Sequence, residues 1–227
     1  MARGVTKLVC IAYRRQHEQM NRGSIAMEFT FNRNAKIVAI LLLIAAATQA
    51  VYTGLYVAKM DVPRQLLWGG EGILFTIMAA FAGAAMVQSK TNQLGWAAIA
   101  AASILNVVQV GVGLTLFGPF SEVAKAVPDA APLAGGIVAY SFMVYNAAKM
   151  LLALALIVLG LSRLGAGSKL LGGASALVGV LAFIANALSM TMGREFAGEL
   201  PLAGGLGVLA TVLLAVCLLT LGDEASD

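Results

Sequence analysis

"GGIVAYSFMVYNAAKMLLALALIVLG", residues 135–160, carries a single charge in 26 positions, the ammonium of Lys149. A helix of roughly 20 apolar residues crosses a hydrocarbon core of about 30 Å, so this stretch reads as a membrane-spanning helix. Five further apolar runs, 37–58, 67–88, 96–117, 170–192 and 201–221, have the same character. Polar or Pro/Gly-bearing breaks separate them, among them "KMDVPRQ", "SKTNQLG" and "LSRLGAGSK". None shows the polar/apolar alternation of a membrane barrel, and helices are the remaining way to satisfy a backbone in lipid. The expected fold is all-α: a polytopic membrane helix bundle, six transmembrane helices arranged as three tandem hairpins. Composition agrees, with 60% hydrophobic and 11% charged residues, against about a quarter charged in soluble domains.

The charges set an orientation. Arg3, Lys7, Arg14, Arg15, Arg22, Arg33 and Lys36 precede the first span. With Lys90, Arg163 and Lys169 they make one side strongly basic, while Lys59, Arg64, Lys125 and Arg194 share the other with Asp61, Glu122, Asp129, Glu195 and Glu199. The excess of Lys and Arg on cytoplasmic segments predicts both termini in the cytoplasm. Residues 1–36 form a basic N-terminal arm, 37–221 the six-span membrane domain and 222–227 a cytoplasmic tail. Met20 and Met27 are alternative starts within the arm, and a start at Met27 narrows the charge bias. The apolar piece "LVCIA" is too short for the roughly 7–15 residues of a signal peptide's core. The net charge of +4 is concentrated in this arm, where it suits anionic lipid, and no nucleic-acid partner is expected. Cys10 and Cys217 are the two cysteines, and both lie in a span or on the cytoplasmic side, so no disulfide is expected.

An internal repeat runs through the hairpins. Gly69–Gly70, Gly135–Gly136 and Gly204–Gly205 open the three even-numbered spans, and Gln49, Asn106 and Asn186 place an amide in each span before. Gly72, Thr76, Ala80 and Ala84 recur every fourth residue in the second span. Such small residues permit close helix contact, either inside one bundle or across a homo-oligomer. In the longest outer connection, "SEVAKAV" reads as two helical turns with Ser121 as N-cap.

"LGLSRLGAGSKLLGGASALVGVLAFIAN", residues 159–186, resembles a pattern found in a family of small bacterial six-helix membrane proteins of unknown function. In that pattern a helix ends in a basic Gly/Ser turn, and the next opens with Leu-Gly and small residues. The resemblance implies a bacterial inner-membrane protein and brings no activity with it.

Much chemistry is excluded. His17 is the only histidine, which rules out a bis-histidine haem site or a histidine-rich zinc site within one chain and any Ser-His-Asp triad in the bilayer. No Gly-Lys-Ser/Thr phosphate loop occurs. No cofactor, metal or catalytic residue is expected, and an enzyme is the least expected class.

What remains is a belt of polar groups near mid-depth: Gln49 with Thr48 and Tyr52, Asn106 with Gln109, Asn146 with Lys149, and Asn186 with Ser189. Polar side chains at that depth face the bundle interior. Lys149 stands about 20 Å from either end of its span, too far for its stem to reach water. Glu71 is the only acid within a span. Counted from the Gly pairs, it falls about 18 Å from the level of Lys149, which predicts an outer-interface carboxylate at a helix N-terminus. Three accounts of Lys149 follow: a neutral amine bonded to Asn146 or to an amide of span one or three, a charged group in a wet cavity, or the counter-charge of an anionic ligand. The candidate ligand-binding residues are Lys149, Asn146, Asn106, Gln109 and Gln49. The expected function is a small transporter or ligand-binding membrane protein, and the alternative is an accessory or assembly subunit of a larger membrane complex. The expected partners are the lipid bilayer and either a second copy or a membrane-complex protein.

Overall fold

The structure, a computed structural model, describes residues 29–60, 63–193 and 202–221. Cys10, His17, Met20, Met27, Asp61, Arg194, Glu195, Glu199 and the 222–227 tail, with most of the N-terminal arm, lie outside the described residues. The helical unit begins at Phe31.

Six long helices follow in order: α1 Phe31–Val57, α2 Arg64–Gln88, α3 Gln93–Ala126, α4 Ala131–Gly165, α5 Lys169–Met192 and α6 Leu202–Leu219. A single 3₁₀ turn, Pro128–Ala130, joins α3 to α4, and no strand occurs among the described residues. All six are long and apolar enough to cross a membrane. The first helix starts at Phe31, so Arg33 and Lys36 of the basic arm already belong to α1. Consecutive helices pack as neighbours, α1 also packs on α6 to close the ring, and α4 reaches across it to α6. The three hairpins are thus arranged in chain order around one bundle.

The distribution of side chains is that of a protein surrounded by lipid. Leu170, Val87, Leu66 and Ile73 are 89%, 79%, 75% and 67% exposed. Ser103, Asn106, Asn146, Lys149, Ser175, Asn186 and Thr211 are buried instead. Lipid tails solvate the apolar exterior, and polar groups can find partners only inside. Phe75, Met78, Trp96, Ile99, Leu152, Leu156 and Leu214 fill the core between them. This is the build of an integral membrane protein.

Two turns define one end of the bundle, here called the basic end because Arg33, Lys36, Lys90, Arg163 and Lys169 gather there. Asn92 takes a left-handed conformation, φ 56°, which asparagine tolerates better than most residues, and its Nδ2 donates to Ser162 Oγ at 3.2 Å. Arg163 Nη2 donates to the carbonyl of Cys217 at 2.8 Å, placing a cation on the last turn of α6, where the helix dipole favours it. The opposite, far end carries an aromatic group. Trp68 lies 5.4 Å from Tyr52 and 5.8 Å from Phe117, with Arg64 over its ring.

The long middle connection differs from its expected form. α3 runs through Pro119 to Ala126, so "SEVAKAV" continues a helix and Ser121 caps nothing. Proline removes one N–H, and this close to the helix end its loss leaves the last two turns intact. The Gly pairs also differ in role. Gly69, Gly70, Gly135, Gly136, Gly204 and Gly205 all have open space where a Cβ would stand. Close helix approach occurs instead between α4 and α5. A Cβ on Gly172 would lie 2.6 Å from Leu164 N, and one on Gly160 would lie 2.7 Å from Ala176 N. The small-residue stripe of α2 faces outward, with Thr76 and Ala80 exposed. With α3 it borders an open groove of about 400 Å³ lined by Gly69, Gly72, Thr76, Val110 and Gly111.

Candidate functional site

Lys149 is 1% exposed and sits near the middle of α4. Its stem lies against α6 at Gly207, where a Cβ would be 3.2 Å from Lys149 Cδ. Its Nζ donates to Gln49 Oε1 of α1 at 2.5 Å and stands 5.4 Å from the centre of the Tyr145 ring, one turn back on α4. The amide carbonyl and the aromatic face both supply negative potential to an ammonium that cannot reach water. Of the three accounts open from the sequence, the bond to an amide of span one is the contact that the structure contains.

Glu71 departs from its expected place at the interface. It is 6% exposed, accepts a hydrogen bond from Thr48 Oγ1 at 2.6 Å and lies within electrostatic reach of Lys149 and Tyr145. The Gly pairs were the wrong ruler, because α4 extends farther toward the far end than α2 does. The basic end gives a better one. Asn92, in the turn just after α2, is level with Ser162. Glu71 stands 17 residues before Gln88, and Lys149 stands 13 before Ser162. The four-residue difference is about 6 Å of helix, which a lysine stem spans. The two charges do not form a direct ion pair. They are joined through consecutive residues of α1, with Thr48 on Glu71 and Gln49 on Lys149.

The other sequence candidates disperse. Asn146 Nδ2 donates across to Ser189 Oγ of α5 at 3.3 Å. Gln109 Nε2 donates to Ser141 Oγ of α4 at 3.3 Å. Asn106 turns back on its own helix, donating to the carbonyl of Ala102 at 2.9 Å, so it and Gln109 do not act as one face. Asn186 makes the same turn-back to Ala182 at 2.8 Å and also reaches the carbonyl of Ala203 at 3.5 Å. Its Oδ1 is fully buried and has no partner.

The candidate site is therefore Lys149 with Gln49, Thr48, Glu71 and Tyr145, backed by Gly207. Tyr145 and Gly207 were not among the groups that the sequence singled out. The spacing of Tyr145, four residues before Lys149, is the one sign that the ring faces the same way. Chemically, the arrangement holds an ammonium with two N–H groups beyond its Gln49 bond, a carboxyl nearby and an orphan acceptor on the neighbouring helix. Among the described residues no cluster of His, Cys, Asp and Glu fits a metal ion. Comparison with models of known families, with curated proteins and with solved structures gives no match.

Proposed function

We propose that this protein is a small transporter or ligand-binding membrane protein of the bacterial inner membrane, both termini cytoplasmic, with its polar site organised by Lys149. The observation that carries this reading is the burial of Lys149 at mid-bundle on one neutral hydrogen bond. An intramembrane ion is costly, by roughly 2.5–3.5 kcal/mol for Lys at a helix centre, and a purely structural role is served as well by a neutral donor. Glu71 already balances the charge, which disfavours a ligand bound through net negative charge alone. The site suits a small molecule that offers an acceptor to Lys149 Nζ and a donor to a buried carbonyl oxygen such as Asn186 Oδ1. The α2–α3 groove favours a second reading, a subunit that seats a partner helix on its exposed Gly72–Thr76 face.

The test is purification in mild detergent followed by analysis of bound small molecules and co-purifying proteins. The variant Lys149→Met/Gln49→Met removes both members of the hydrogen bond and leaves neither stranded. It should fold as the parent does and lose the bound small molecules. A double variant that melts far below the parent would overturn the site reading, and a stoichiometric partner protein with no bound small molecule would favour the subunit.

A further inference from the structure

The hydroxyl of Thr48 has two acceptors and one hydrogen. Thr48 Oγ1 is 3.0 Å from the carbonyl oxygen of Ala45 and 2.6 Å from Glu71 Oε1. A hydroxyl can donate once and accept as well. Two arrangements satisfy this geometry. In one, Thr48 donates to an ionised Glu71. In the other, Thr48 donates to the Ala45 carbonyl and Glu71, now protonated, donates its own O–H to Thr48. Adding one proton to Glu71 and rotating the Thr48 hydroxyl converts the first into the second without moving a heavy atom.

We propose that Glu71 is a proton-binding residue of the membrane domain, loaded and unloaded through this two-position contact with Thr48. Loading breaks an O–H bond of hydronium, forms the O–H bond on Glu71 and releases water. The charge shared by Glu71 and Lys149 rises from zero to +1. Coupling of that proton to cargo rests on the transport reading above, whereas the titration of Glu71 does not.

The surroundings contain little else that titrates. α1 presents Thr48 and Tyr52 toward this part of α2, and α3 presents Val110, Gly111 and Gly113. The described acids and bases of α3, Glu122 and Lys125, belong to its far-end extension. Lys149 and Tyr145 of α4 are the groups within electrostatic reach. Access is short: Glu71 lies seven residues into α2, about 10 Å along the axis from Arg64 at the far end.

Infrared spectroscopy of the full chain in liposomes, recorded across a pH series, reads this directly. The expected result is a carboxylic-acid carbonyl band that grows as pH falls, disappears in Glu71→Gln, and changes position and midpoint in Thr48→Val. If Glu71→Gln does not accumulate, the Thr48→Val shift still assigns the band, because only the carboxyl bonded to Thr48 senses that hydroxyl. A spectrum in which no pH-dependent carboxylic-acid band responds to either substitution overturns the proposal. Failure of the ligand reading appears elsewhere, as bound small molecules retained by Lys149→Met/Gln49→Met, so the two are read separately.

Discussion

Lys149 and Asn186 stand level with each other on antiparallel neighbours. Asn146 and Ser189 bond across α4 and α5; three residues on from Asn146 stands Lys149, and three residues back from Ser189 stands Asn186. Both then meet α6 within about one turn, Lys149 at Gly207 and Asn186 at Ala203. A donor with spare hydrogens and an acceptor without a partner thus share one level of the bundle.

Asn186→Leu removes the stranded oxygen and keeps the volume. An unsatisfied buried group costs about 1–3 kcal/mol, so the variant should melt in detergent at or above the parent temperature. It should also lose bound small molecules if Asn186 Oδ1 receives them. A large drop in melting temperature would show that the amide is held by contacts that the leucine cannot replace.

The Lys149–Gln49 bond predicts strong coupling. Lys149→Met alone strands Gln49, and Gln49→Met alone strands the ammonium, each at a cost of about 1–3 kcal/mol. Made together, the two changes should cost less than the sum of the singles. A double-mutant cycle on thermal stability in detergent measures the difference, and additive single effects would mean that the two groups do not depend on each other.

Glycine positions should split into two classes. Gly172→Val drives a side chain into the backbone at Leu164, and overpacking of this kind costs typically 1–3 kcal/mol or more. Gly135→Val meets open space and should change stability by well under 1 kcal/mol. Chemical or thermal denaturation of the two variants side by side checks the contrast.

Topology follows from the charge bias. In a cysteine-free background, Ala130→Cys should label with an impermeant thiol reagent from outside the cell, and Gly167→Cys only after the membrane is opened. Labelling of both from one side would contradict the alternating hairpins.

The fold was legible because apolar length is a direct physical requirement of the bilayer, and six runs of sufficient length leave little choice. The polar contacts of the candidate site were legible in part. Lys149 and Gln49 stood out as polar atoms where none should be, and the structure joins them. Asn106 looked equivalent, yet an asparagine can satisfy its amide on its own helix at the carbonyl four residues back, and sequence does not reveal which solution is taken. Glu71 was misplaced because depth was counted from glycines that pack against nothing, while the glycines that fix helix approach, Gly160 and Gly172, sit within the 159–186 stretch.

The bond between Lys149 and Gln49 also has a mechanical side. α1 and α4 share no close backbone approach; a long side chain bridges them. α4 and α5, by contrast, touch closely through Gly160, Gly172 and Gly179. α1 therefore meets α4 across the middle of the bundle at one side-chain latch, while α2 and α6 hold α1 by direct packing. A charged hydrogen bond is worth about 1.5–3 kcal/mol net, so releasing the latch changes a population by a factor of about 10 to 150. On the ligand-binding proposal, a small molecule that takes Gln49's place on the ammonium would compensate for that release.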